Sequence, residues 1–148
     1  MASSASSIST RSLTQASAIA GPVVLLGRFF FAAIFLMAAP NHFKSETIAY
    51  AASQGVPLAS IVVPASGVIA ILGGLSILLG YRARVGAWLI GLFLILVTPM
   101  MHNFWAVSDP MAHQMQMIMF MKNLSMLGGA LLISQFGAGP WSLDARKK

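Results

Sequence analysis

The sequence predicts an all-α integral membrane protein, a four-helix up-and-down bundle, and three observations carry the prediction. Hydrophobic residues make up 57% of the 148-residue chain and charged residues only 8%. A soluble domain carries about 25% charged residues, so this chain cannot cover a water-facing surface. Four apolar runs of 17 to 23 residues follow one another, and about 20 residues cross the hydrocarbon core. Backbone groups in lipid must satisfy one another, so runs of this length are helices. Barrel strands would be about half as long and would alternate in polarity.

The elements follow in order. Residues 1–20 are rich in Ser, Thr and Ala, with Arg11 as the one charge, which predicts a disordered or interfacial tail. The acid-poor, Ser-rich character also suits an organellar transit peptide. A cleaved signal peptide is not expected, because the next apolar run is long and contains Arg28. The membrane domain is expected over residues 21–135. Its spans are residues 21–39 with Arg28, residues 58–80 and 85–101 without charge, and residues 115–134 with Lys122. Residues 40–57 form a polar loop holding Asn41, His42, Lys44 and Glu46; residues 81–84 form a tight basic turn; residues 102–114 hold Asp109 and Pro110. Residues 136–148 form a basic cytoplasmic tail.

With four spans, both termini and the second loop share one side. That side holds Arg11, Arg82, Arg84, Arg146, Lys147 and Lys148, and the other only Lys44. Six cations against one place both termini in the cytoplasm by the positive-inside rule. The second span has a face of small residues, Ser66, Ala70, Gly73 and Gly80, and the fourth has Gly128 and Gly129. Small residues let helix backbones approach where no water drives them together.

The charge balance is +6, but the cations are scattered among apolar runs, so nucleic acid is not an expected partner. There is no cysteine, which excludes disulfides, thiolate metal sites and cysteine relays. No phosphate loop, dinucleotide fingerprint or nucleophile elbow occurs. The chain itself therefore supplies no cofactor ligands.

Chemistry is left to a few polar residues. Arg28 and Lys122 lie inside spans, where a charge at mid-bilayer costs at least about 2.5–3.5 kcal/mol. Both can snorkel, or face inward toward an anion: a backbone carbonyl cluster, a lipid phosphate, a ligand or a partner subunit. Lys122 and Asn123 are expected to face the bundle and hydrogen-bond a ligand or neighbouring helix, with Gln116 and His113 close by. His42, His102 and His113 all fall on the outer side, and eight of ten methionines lie between Met100 and Met126. Copper could use such groups. No His-x-x-x-His pair or carboxylate cluster accompanies them, and Met is adaptable apolar filler, so no metal site is assigned.

Several stretches together resemble the DoxX family of small membrane proteins. They are residues 27–35 (GRFFFAAIF) followed by Asn41-His42-Phe43, then Gly73-Gly74 with residues 80–84 (GYRAR), then residues 120–124 (FMKNL) before Gly128-Gly129. Where family members often carry a glutamate before the glycine pair, this chain has Ala70. The family is similar to the small membrane subunit of a thiosulfate:quinone oxidoreductase. The resemblance implies a bacterial inner membrane and an accessory subunit that packs on a larger redox or respiratory partner. A second reading is a subunit that holds a quinone near Lys122, His113 and Gln116. A small transporter ranks last, because the spans hold too few polar residues to line a wet path. A homo-oligomer is the alternative to a larger partner.

Overall fold

The computed structural model describes residues 3–147, and the side chains of residues 20–146. It contains five α-helices: α1 Ser3–Ala38, α2 Ser45–Ser53, α3 Ala59–Leu79, α4 Ala83–Met101 and α5 Pro110–Phe136. Four segments are long and apolar enough to cross a membrane: Ala20–Phe43, Ala59–Leu79, Ala83–Ala106 and Pro110–Phe136. They form an all-α bundle, and the chain is a multi-pass membrane protein. The backbone of α1 starts far upstream of residue 21, so the boundary between tail and span is one of hydropathy, not of secondary structure. The side chains of residues 1–19 lie outside the described residues.

Each span ends for an identifiable reason. Gly80, at φ +65°, closes α3 in the left-handed region. The Gly80 amide donates to the Ile77 carbonyl and the Tyr81 amide to Ser76, the paired bonds of a Schellman motif. Two residues later α4 begins, so α3 and α4 run antiparallel. Asp109 starts α5: its carboxylate accepts from the Ala112 amide at 2.8 Å, and Pro110 follows at the first helical position. Proline suits that position because its missing N–H would have no intrahelical partner. The helix therefore begins five residues before the apolar run at Met115.

The core is narrow. Phe35, Ala70, Ile77, Ala87, Ile90, Leu94 and Ala130 are buried together. Phe30, Met37, Leu72, Leu96, Leu132 and Phe136 point outward. Apolar residues around the whole circumference are what a lipid-solvated bundle needs and a soluble one cannot tolerate. Gly73 lets α3 meet α4, since a Cβ there would lie 2.8 Å from the Ile90 side chain and 3.1 Å from the Gly86 carbonyl. At Gly129 the same addition would come within 2.8 Å of the Phe31 ring of α1. Gly128 has no neighbour within 4 Å, so only one glycine of that pair makes a close approach.

The last residues return to the bundle. The Leu143 amide donates to Leu79 and the Asp144 amide to Gly80. The segment after α5 therefore packs on the turn between α3 and α4. This end, with Arg82 and Arg84, is the basic end. The end with α2 and the loop before α5 is the opposite one.

Candidate functional site

The polar residues that sequence reasoning picked out separate into two groups at opposite ends of the bundle. At the end near α2, a cavity of about 510 Å³ opens between α1, α3, α4 and α5. Its wall is mostly apolar, with Phe35, Phe93, Leu94 and Met126 among the lining residues. Thr47 of α2 lines it, and five more polar side chains interrupt it: His42, Ser66, His102, Lys122 and Asn123.

Three of these five are held by neighbours. Ser66 Oγ donates to the Val63 carbonyl at 2.7 Å and lies 2.8 Å from His42 Nδ1. With its own proton committed, Ser66 accepts from the imidazole, so Nδ1 of His42 carries the hydrogen. Gly67, one residue on, lets this corner close, because a Cβ there would lie 2.8 Å from His42 Cβ. His102 Nδ1 lies 2.8 Å from Gln116 Oε1, an acceptor, so this ring also donates through Nδ1. Gln116 thus serves as the partner that orients His102.

The other two are not satisfied. Asn123 is only 7% exposed and its amide has no hydrogen-bond partner among the described residues. Among the described residues, the hydrogen-bond partner of Lys122 Nζ is Met119 Sδ, at 3.2 Å, a weak acceptor. Twelve residues from the start of α5, Lys122 lies about 18 Å along the helix, deep in the span. The Asn123 amide lines the cavity wall, where it is open to an acceptor or donor from a bound molecule. An intramembrane cation without a counter-ion carries its own penalty. Both unmet demands fall on one stretch of α5, at the wall of one cavity. The arrangement can take a molecule with an apolar body and an end that accepts hydrogen bonds or carries negative charge.

His113 does not belong to this group. Its Nδ1 faces the Val107 carbonyl at 3.3 Å, and its ring meets Phe104 edge-on. Phe104, Trp105 and Phe120 complete that aromatic cluster. Phe120 is thus packed away from the cavity rather than over a ligand ring. Among the described residues, no group of three or more His, Asp or Glu could hold a metal ion. His42 and His102 line one cavity, each with its own partner, and His113 lies in a separate aromatic cluster.

Arg28 lies at the basic end. It is 3% exposed, and its Nη2 donates to the Trp141 carbonyl at 2.6 Å. Its Nε and Nη1 are buried and unpaired among the described residues. Gly80 makes room for it: a Cβ there would collide with Arg28 Nη1 and with Ser142 and Ala138. Trp141 adopts φ +58° to aim its carbonyl at the guanidinium, and its indole lies over Gly21 of α1. The Asp144 carboxylate accepts from the Arg82 amide at 2.8 Å and the Ala83 amide at 3.1 Å. It caps α4 from across the chain, where negative charge is favoured. Sequence reasoning missed Trp141, Ser142 and Asp144 as partners. The one signal was the Gly137 and Gly139 pair, which marks a turn rather than a trailing tail.

Comparison with known proteins supplies the family. The model of the SURF4 family matches residues 48–148. The Inner membrane protein YqjF of Escherichia coli is 30% identical over 123 residues, covering 82% of this chain and 88% of that protein. The ER-derived vesicles protein ERV29 of Saccharomyces cerevisiae is 31% identical over 81 residues, 55% of this chain. The chain spans only 26% of that yeast protein. No solved structure matches. The DoxX resemblance is therefore overturned. The physical reason lies in what its motifs do here. Gly73 permits a helix contact, Gly80 ends a helix, and Arg82 and Arg84 sit at a turn between spans. Any small bundle with short turns needs such features, so they report packing and topology rather than ancestry.

Proposed function

The chain belongs to the SURF4 family of membrane proteins, and on that footing we propose that it binds a membrane-soluble amphiphile in the cavity between its four spans. Lys122 and Asn123 receive the polar head, and the apolar wall from Phe35 to Met126 receives the body. The observation that carries this reading is the Asn123 amide, 7% exposed and without a partner among the described residues, on the wall it shares with Lys122. His42 and His102, fixed by Ser66 and Gln116, flank the cavity and set its polarity. Because Lys122 is a cation with no carboxylate partner among the described residues, a carboxylate or phosphate head is favoured over a neutral one. The excess of cations at the basic end supports a cytoplasmic position for it by the positive-inside rule. For this chain a bacterial inner membrane is the location that its likeness to the E. coli inner membrane protein supports.

The expectation of a redox or respiratory assembly drew on the DoxX resemblance and loses that premise. A quinone remains one arm of the test, since its carbonyls would accept from the same two groups. The experiment measures thermal stabilisation of the detergent-purified protein by palmitate, by decylubiquinone and by dodecane. The proposal predicts stabilisation by palmitate that is lost in Lys122→Met and Asn123→Leu, with little effect of dodecane. Stabilisation by decylubiquinone alone would move the head group to a neutral carbonyl. Equal effects of all three, or no effect of any, would refute recognition of a head at this site.

A further inference from the structure

A second cavity, of about 620 Å³, lies at the basic end between the turn that joins α3 to α4 and the returning segment after α5. Arg82 and Arg84 line it from one side, and residues 136–139, Ser142, Asp144 and Ala145 from the other. We propose that this cavity binds a phosphate group, and that Arg82 and Arg84 are its ligands.

Three observations converge on that chemistry. First, among the described residues neither Arg82 nor Arg84 has a carboxylate partner for its guanidinium; the Arg82 guanidinium stands 6.0 Å from the centre of the Tyr81 ring. Second, the one acid in the wall is already engaged, because both Asp144 oxygens accept backbone N–H groups at the start of α4. Third, Arg28 stands directly behind the wall. Its Nη1 meets Gly80 at the same point as Ala138 and Ser142, and two of its nitrogens are buried without partners. Three arginines and one aspartate leave an excess of positive charge, and low-dielectric surroundings focus it into the cavity. Guanidinium groups match phosphate oxygens in a fork geometry that ammonium groups lack.

The location suggests where the phosphate comes from. The cavity sits where α3 ends and α4 begins, at the edge of the apolar spans, with the exposed Trp141 indole beside it. That level is occupied by phospholipid head groups and favoured by tryptophan. Basic recesses at this depth suit anionic lipids. A free phosphate ester from the aqueous side would present the same group.

The test uses native mass spectrometry of the purified full-length protein with phosphatidylglycerol and with phosphatidylcholine of identical acyl chains, and a thermal-shift titration with inorganic phosphate. Preferential retention of phosphatidylglycerol, weakened roughly fivefold by Arg82→Asn or by Arg84→Gln and about 25-fold by both, supports the site with a lipid source. Asparagine is chosen at residue 82 because that position has φ +48°, which asparagine tolerates. Stabilisation by inorganic phosphate that the same variants abolish supports it with a soluble source. Equal retention of both lipids by the unmodified protein, together with no response to phosphate, overturns the proposal whether or not the variants fold. Undiminished selectivity in the folded double variant overturns it as well. Gly128→Ala, where an added Cβ has no neighbour within 4 Å, is expected to leave phosphatidylglycerol selectivity unchanged.

Discussion

Gly80→Ala tests the basic end most sharply, because two separable costs meet at one position. Gly80 sits at φ +65°, and a residue with a Cβ loses about 1–2 kcal/mol there. The new methyl group would also occupy the space of Arg28 Nη1 and press on Ser142 and Ala138. To relieve that overlap the guanidinium must withdraw, and its bond to the Trp141 carbonyl at 2.6 Å is the contact it would give up. A hydrogen bond from a charged donor is worth about 1.5–3 kcal/mol, so the whole loss is about 2.5–5 kcal/mol. Gly55 supplies the control: it has φ +83° but no neighbour within 4 Å of a Cβ. Gly55→Ala should therefore show only the backbone part, about 1–2 kcal/mol. Both variants are measured by equilibrium unfolding of the purified protein in mixed micelles with increasing SDS. If Gly80→Ala costs no more than Gly55→Ala, the Arg28 contact contributes nothing and the account of the returning segment is wrong.

Other substitutions probe the remaining contacts. Asp144→Ala removes the carboxylate that caps α4, and a loss of about 1–3 kcal/mol is expected in the same unfolding assay. Gly129→Ala should destabilise through the Phe31 ring, whereas Gly128→Ala, in open space, should stay within about 0.5 kcal/mol of the parent. Asn123→Leu should raise the melting temperature of the ligand-free protein, because it replaces an amide on a mostly apolar cavity wall with a side chain that matches that wall. A fall in that temperature would show that the amide has a structural partner.

Much of the fold was legible in the sequence because lipid imposes one strong rule. Apolar length alone located the four spans, and Gly80 ends α3 where the second apolar run ended; Asp109 and Pro110, read as part of a loop, instead start α5. Lys122 and Asn123, consecutive residues read as lying on adjacent stripes of one helix, both line the central cavity. His113 was misplaced with them because helical spacing cannot say that its ring turns to Val107 and Phe104. The partner of Arg28 was illegible for a different reason. It is a backbone carbonyl 113 residues away, presented by a tryptophan in the left-handed region, and no side-chain pattern encodes either fact. Asp144 looked like part of a loose tail because one acid among Arg146, Lys147 and Lys148 reads as a solvated charge.

The claim that the central cavity holds an amphiphile is tested most directly by native mass spectrometry of the protein released gently from its own membrane. The measurement uses the Arg82→Asn, Arg84→Gln double variant, in which the basic recess is disabled, and the account predicts an added mass of lipid-like size on it that disappears when Lys122→Met or Asn123→Leu is added. A bare mass on the double variant, or an added mass that survives both further substitutions, would contradict it.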